Sequence, residues 1–333
     1  MSFAKDLLRQ TLRRQLLIRS LYLLPSYVQI EPTAKCNLSC KTCIRSRANP
    51  VEEADMNLGL FKSIVDQLRQ SWYKTRALNL TGLGEPFMNP NLVQMVSYAK
   101  DKGLNVGMNT NLTMVNEDIL KNLIKAGLDW LTVSIDGATK ETFENIRVGA
   151  IFEGVVENIK FTIDLRERMN AKRPRIYLNY TICEQNIQEI PEMIKLADDL
   201  RVNGIGFMKQ VVPGISYSEK PPLNPLPENK WLNRKIKATF HLTVVSSCVV
   251  PRSCYITFDG KVLPCYPLYE LVPRGEYSSY QFGDLSAQSL REIWFSMRYR
   301  NFRAKNISGT RLPICKSCPF GKVELNRKID ASR

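Results

Sequence analysis

The chain has 333 residues, 44% of them hydrophobic, with 47 Lys and Arg against 32 Asp and Glu for a formal charge of +15. That is enough apolar material for one large domain with an appendage or for two domains, and it excludes a disordered or fibrous chain. No apolar run approaches the roughly 18 residues of a membrane span, and charges interrupt the N-terminal stretch where a signal peptide would be continuously apolar, so a cytoplasmic protein is expected. Nine cysteines, an odd and unevenly spread set, argue against a disulfide framework and for metal-binding or catalytic thiols. The positive charge suits contact with anions, or serves solubility.

Residues 1–25 read as a basic amphipathic helix, with Leu7, Leu8, Leu12, Leu16 and Leu17 against Lys5, Arg9, Arg13, Arg14 and Arg19. Such a helix packs on the rest of the protein or touches a membrane surface. Residues 26–215 alternate short β-branched or apolar runs with helical periods. The strands expected are SYVQIEPT, ALNLTGLG, LNVGMNTN, WLTVSIDG, RIYLNYTI and GIGFMKQVV. Between them lie helical stretches such as LGLFKSIVDQLRQ, NEDILKNLIKAG and FEGVVENIKFTIDLRERM. Asn116 is placed to cap one helix, Gly103 and Gly127 to close two, and Pro191 to stand in a first turn. Repeated βα units imply parallel pairing with right-handed crossovers. Residues 216–240, rich in proline and polar side chains, read as a linker or covering loop into a different C-terminal region at 241–333.

Three thiols, Cys36, Cys40 and Cys43, stand in the loop EPTAKCNLSCKTC that follows the first strand. A structural zinc wants four ligands, yet His241 is the one histidine, far along the chain, and no fourth cysteine is near. Three thiolates on a four-iron cluster leave one iron open for a small molecule. This C-x3-C-x2-C loop after a first βα strand resembles the radical S-adenosylmethionine (SAM) superfamily, whose open iron chelates the methionine part of SAM. The resemblance implies an α/β fold, a partial (β/α)6 TIM-like barrel. In TGLGEP, Glu85 would receive the SAM amino group, with Gly82 and Gly84 allowing close approach. Asn109, Asn111, Ser134 and Asp136 fall at the carboxyl rim of the strands, where they would meet the ribose hydroxyls. Arg147 would pair with the SAM carboxylate.

The C-terminal cysteines, with a turn at Asp259-Gly260 and a final Cys315-x2-Cys318, resemble the SPASM domain or its shorter Twitch form, which holds auxiliary 4Fe-4S clusters. A full SPASM domain has seven cysteines; five occur here after residue 240, which implies one auxiliary cluster. Its ligands would be Cys248, Cys265, Cys315 and Cys318, with Cys254 able to replace Cys248. The thiol left over, Cys254 in this assignment, would be either a buried apolar residue or a hydrogen-atom donor that turns oxidation into epimerisation. Cys183 reads as a buried thiol.

The stretch WFSMRYRNFR, residues 294–303, places Trp294, Phe295, Arg298, Tyr299 and Phe302 on one helical face, favouring core packing with arginines in water over nucleic-acid stacking. The resemblance implies two 4Fe-4S clusters, SAM, and an electron donor of the flavodoxin or ferredoxin type. It implies a radical SAM oxidoreductase, epimerase or maturase, generating a 5'-deoxyadenosyl radical and acting on a peptide or a small sugar-like, hydroxylated or lipid-like molecule. The short stretch ahead of the first strand leaves no room for a leader-binding domain, which favours a small molecule. A nucleic-acid-modifying enzyme of the same superfamily is an alternative. So is a non-catalytic zinc or iron-sulfur protein that binds nucleic acid.

Overall fold

In the strands of this chain, apolar side chains alternate with polar ones, so each strand has a face to bury and a face to leave open. The computed structural model describes residues 21–47, 53–69, 75–210 and most of 241–318, together with residues 11 and 18. The expected linker over 216–240 lies outside the described residues, as does nearly all of the expected helix over 1–25.

All six expected strands form: β1 (Tyr27–Ile30), β2 (Ala77–Leu80), β3 (Asn105–Thr110), β4 (Trp130–Ser134), β5 (Arg175–Ile182) and β6 (Gly204–Lys209). They pair in parallel and in chain order. Two further parallel strands extend the sheet. β7 (His241–Val245), expected in the C-terminal domain, pairs with β6. β8 (Ser253–Ile256) pairs with β1 at the opposite side. β9 (Lys261–Leu263) and β10 (Gly283–Asp284) then add antiparallel, giving ten strands whose edges are β7 and β10. The C-terminal region is thus hydrogen-bonded to the first strand of the core.

The intervening helices are α1 (Ile44–Arg47), α2 (Leu58–Arg69), α3 (Leu92–Asp101), α4 (Glu117–Lys125), α5 (Lys140–Ile146), α6 (Phe152–Arg168) and α7 (Ile190–Asp199). The expected punctuation is in place. Ile119 N donates to Asn116 Oδ1 at 2.9 Å, Gly103 and Gly127 have positive φ, and Pro191 stands in the first turn of α7. Buried Leu131 and Val133 of β4, and Ile176, Leu178 and Ile182 of β5, belong to the core that the helices cover. The opposite face carries Gln29, Asn79, Asn109, Thr132, Asn179 and Thr181, a lining of amides and hydroxyls.

The C-terminal region adds α8 (Tyr266–Leu271), α9 (Leu290–Phe295), α10 (Met297–Ser308) and α11 (Pro313–Lys316). The single helix expected through WFSMRYRNFR is broken at Ser296 into α9 and α10. One arginine goes inward rather than to water: Arg303 is fully buried, its guanidinium 3.8 Å from the Trp294 ring centroid and 4.6 Å from that of Tyr299. Flat guanidinium on aromatic faces makes this burial tolerable, and burial pushes the Arg303 pKa down to about 10. Trp294 Nε1 donates to Leu23 O at 2.8 Å, tying this region to the segment ahead of β1. No helix of the described residues is long and apolar enough to cross a membrane.

At the amino end of the sheet, buried Asp129 accepts from Val106 N at 2.7 Å and Lys100 Nζ at 2.6 Å and pairs with Arg173. Asp129→Ala is expected to lower unfolding stability by about 2 kcal/mol, because an N–H and two cations lose one acceptor. Iron content should stay at the wild-type level, since this cluster lies at the end of the strands opposite the thiols. Urea unfolding with an iron assay checks both.

Candidate active site

The loop that leaves β1 reaches Cys36 through Glu31, Pro32 and Thr33, and its backbone is held from several sides. Ala34 N donates to Ala54 O at 2.9 Å, and Met56 N to Pro32 O at 2.8 Å. Arg45 Nη1 donates to Ala34 O at 2.6 Å, and Glu85 N to Lys35 O at 2.7 Å. Farther along, Ser39 N and Lys41 N donate to Val148 O and Ile146 O at the end of α5. A loop whose carbonyls and amides are satisfied this way keeps its shape by itself.

Gly84 shows how tightly the TGLGEP turn lies on this loop. A Cβ there would stand 2.1 Å from Thr33 O and 2.6 Å from Lys35 O. At Gly82 and Gly84 the absence of a side chain lets the turn lie against the protein's own chain, Glu31 at the first and the Thr33 and Lys35 carbonyls at the second. Glu85 is buried beside the thiol loop. Its Oε1 accepts from Thr110 Oγ1 at 2.6 Å and Phe87 N at 3.2 Å, and its Oε2 from Asn111 N at 2.7 Å. Burial raises its pKa to about 7 against these hydrogen bonds and the Arg147 charge, which lower it. Asn111 holds the loop directly, its Nδ2 donating to Asn37 Oδ1 at 2.9 Å. Asn109 accepts from Asn79 Nδ2 at 3.2 Å on the open face. Ser134, half-buried, ends β4 on that same face.

Asp136 stands differently from its expected place beside a ribose. It is fully buried, its Oδ1 accepts from Thr181 N at 2.7 Å, and its Oδ2 lies 2.8 Å from Arg147 Nη2. Asp136 therefore anchors Arg147, which caps α5 and lies within electrostatic reach of Cys40 and Cys43. Burial works against the Arg147 charge, but Asp136 and the two thiols outweigh it and raise its pKa. Cys40 is itself pushed above the usual thiol range by burial, against the pull of Arg147; Cys36 is pushed up by burial and by the charges of Glu85 and Cys40.

These thiols fit an iron-sulfur cluster. The charge of Cys40 reaches Cys36, and Arg147 lies within reach of Cys40 and Cys43; burial opposes bare thiolates at Cys36 and Cys40, an opposition that a cationic centre bound to this loop would offset. Among the described residues no three Cys, His, Asp or Glu side chains suit a single metal ion; a cluster differs in giving each thiolate its own iron.

A second set lies in the C-terminal region. Cys265 is pushed well above the usual thiol range by burial and then by the charges of Cys248, Cys318 and Cys315, so these four sulfurs share one neighbourhood. Cys318 N donates to Cys315 O at 3.4 Å, a turn of the C-x2-C kind. Cys254 is elsewhere. It pairs in register with Val28 of β1, so its side chain leaves the sheet on the helix-covered face, fully buried against Tyr299 and Arg303. Burial raises its pKa to about 12. A donor to a substrate on the open face must alternate with Val28, as Tyr255 does; of the two roles expected for Cys254, its buried place beside Val28 supports that of an apolar residue. Cys183, directly after β5, is nearly buried, its amide bonded to Asn186 Oδ1 at 2.8 Å.

Two family models match the chain: the radical SAM superfamily over residues 30–201 and an iron-sulfur cluster-binding domain, SPASM, over 248–319. The chain belongs to the radical SAM superfamily. It carries a C-terminal SPASM domain, which implies SAM, a SAM-binding 4Fe-4S cluster and auxiliary iron-sulfur binding. Among its relatives is a tungsten-containing aldehyde ferredoxin oxidoreductase cofactor-modifying protein of Pyrococcus furiosus, 28% identical over 88% of this chain and 86% of the relative. An AdoMet-dependent heme synthase of Methanosarcina barkeri is 32% identical over 90% of each. A PqqA peptide cyclase of Gluconobacter oxydans is 24% identical over 88% and 82%. Streptococcus suis SuiB bound to its precursor peptide SuiA shares the fold at a TM-score of 0.70 and 14% identity, over 95% of this chain and 76% of that one.

Sequence reasoning passed over Glu31, although a carboxylate in the short link from a buried strand to the thiols is itself a signal. It also passed over Asp55, which holds the loop through Thr33 Oγ1 and Lys35 Nζ, each at 2.7 Å. For this radical SAM protein, Cys254→Ala is expected to keep wild-type iron content and product stereochemistry while losing about 1 kcal/mol of stability from the small cavity. Iron assay, chiral product analysis and urea unfolding check it.

Proposed function

We propose that this radical SAM protein oxidises a polar substrate bound on the amide- and hydroxyl-lined face of its barrel, with SAM at the first thiol set and one auxiliary cluster at the second. The observation that carries the reading is the pair of separate thiol sets: three sulfurs beside Glu85 and Arg147 at the strand ends, and Cys265 with three others near it. Cys36, Cys40 and Cys43 would hold the first cluster; Cys248, Cys265, Cys315 and Cys318 would hold the second. When bound, the first cluster supplies an electron to SAM, whose carbon-sulfur bond breaks to give the 5'-deoxyadenosyl radical that removes a hydrogen atom from the substrate.

The protein's own part is position and charge. Ionised Glu85 receives the SAM amino group, and Arg147, preset by Asp136 at 2.8 Å, offers its remaining N–H groups to the carboxylate. Asn109 and Ser134 face the space beyond, where hydroxyls or peptide amides find partners on β3 to β5. An oxidative outcome is favoured over epimerisation because Cys254 faces the helices, leaving the second cluster to take the electron that a thiol donor would otherwise make unnecessary. The polar lining suits a peptide or a hydroxylated molecule better than a lipid. The relatives named for a peptide and for organic cofactors agree with a maturase acting on such a precursor.

After anaerobic reconstitution the protein should hold about eight irons and, once reduced, convert SAM to 5'-deoxyadenosine. Cys36→Ala should abolish this, whereas Cys265→Ala should retain about four irons and SAM cleavage but yield no oxidised product. Colourless protein binding zinc would sink the reading. Incorporation of deuterium from heavy water at the abstracted carbon would replace oxidation by epimerisation.

Glu85 gives a pH test. Its pKa is raised to about 7 by burial, so below that pH it is largely a neutral acid and cannot pair with an ammonium group. SAM binding should therefore tighten as pH rises toward 7, approaching tenfold per unit on the acid side, and level off above it. Glu85→Gln should bind more weakly and flatten the profile, as read by equilibrium binding between pH 5.5 and 8.5.

A further inference from the structure

Glu31 stands where three segments that the proposed chemistry uses separately come together. It follows the last residue of β1, on the loop that leads to Cys36, and is fully buried. Its Oε1 accepts from Leu83 N at 2.7 Å, inside the turn that ends in Glu85. Its Oε2 accepts from Phe258 N at 3.3 Å, inside the turn that runs through β9 to Cys265. The fit is close: a Cβ on Gly82 would lie 2.4 Å from Glu31 Cγ and 2.5 Å from Oε1.

Burying a carboxylate here is costly, as its pKa, raised to about 7 chiefly by burial and further by Asp259, attests. An apolar side chain would avoid that cost but would leave the Leu83 and Phe258 amides without this acceptor. Two oxygens on one rigid group are what two N–H groups from different segments require, and no neutral side chain of this length offers both.

We propose that Glu31 is a positioning residue, which locks the Glu85 turn to the turn leading to Cys265, so that SAM bound at the first tightens the second. The proposal rests on the reading of residues 82–85 as the SAM turn. Coupling through a shared group is reciprocal, so order in the auxiliary domain equally favours SAM binding. Arrival of SAM would thereby fix the segment that carries Cys265.

Amide hydrogen exchange on the full-length reconstituted protein, with and without SAM, tests this. In the wild type, SAM should slow exchange in both 83–87 and 258–261. In Glu31→Gln, which keeps one acceptor oxygen and turns an NH2 toward the other amide, SAM should still slow 83–87 but no longer 258–261. Iron content should be unchanged and SAM affinity about fivefold lower. Protection of 83–87 alone in the wild type, or a retained response at 258–261 in Glu31→Gln, overturns the proposal. If SAM slows neither segment in the wild type, the SAM-site reading fails and the proposal with it. The wild-type comparison decides even if the variant does not fold.

Discussion

Everything at the active site depends on a loop that is rigid before any metal reaches it. Between Pro32 and Lys41 the backbone exchanges hydrogen bonds with residues 54–56, with Arg45, with Glu85 and with the end of α5. Each contact pairs a backbone amide or carbonyl of the loop with a fixed element of the fold. The loop consequently presents its thiols from a fixed frame, and the elements that fix it carry the polar residues of the site. Glu85 arrives on the turn that packs on Lys35, and Arg147 on the helix end that packs on Lys41. The geometry of the thiols and that of Glu85 and Arg147 are one constraint.

The electrostatics follow from the same burial. Glu31 and Glu85 are both fully desolvated acids near neutrality, while Arg147 remains charged because Asp136, Cys40 and Cys43 surround it. The site thus holds a permanent cation together with acids whose charge depends on what binds. In the proposed function, the ammonium end of SAM would pair with ionised Glu85 and its carboxylate would share Arg147 with Asp136. Asp136 is better understood as the residue that aims Arg147 than as one that touches a sugar. Its Oδ1 is committed to Thr181 N at 2.7 Å, and its Oδ2 is ion-paired with Arg147 at 2.8 Å.

Much of this was legible in the sequence, and the failures have physical causes. The six core strands announce themselves because each is short, β-branched and bounded by turn residues, and the thiol loop because its spacing is unusual. β7 and β8 are harder to see. Their partners, β6 and β1, lie far away in the sequence, and local pattern carries no information on which edge a late strand joins. Cys254 was left open between a buried apolar residue and a hydrogen-atom donor, because only its register with Val28 shows which face of the sheet it takes. Arg303 was misread because charge normally predicts exposure, and only the two aromatic faces brought to it by the break at Ser296 make its burial tolerable.

The pairing of β8 with β1 has a consequence for the chemistry. The two thiol sets are carried on strands of one sheet with β8 between them: Cys36 follows β1, and Cys265 follows β9, which is hydrogen-bonded to β8. The auxiliary region is therefore an extension of the core sheet, and motion in one must be felt in the other through a continuous hydrogen-bonded ladder. In the proposed function, a substrate on the open face would meet β1 and its neighbours from above, with the first thiol set at the strand ends and the second carried beyond β8. In the proposed oxidation, the separation between hydrogen abstraction and electron removal would therefore be set by strand pairing, which a covering loop would not have to re-establish at each turnover.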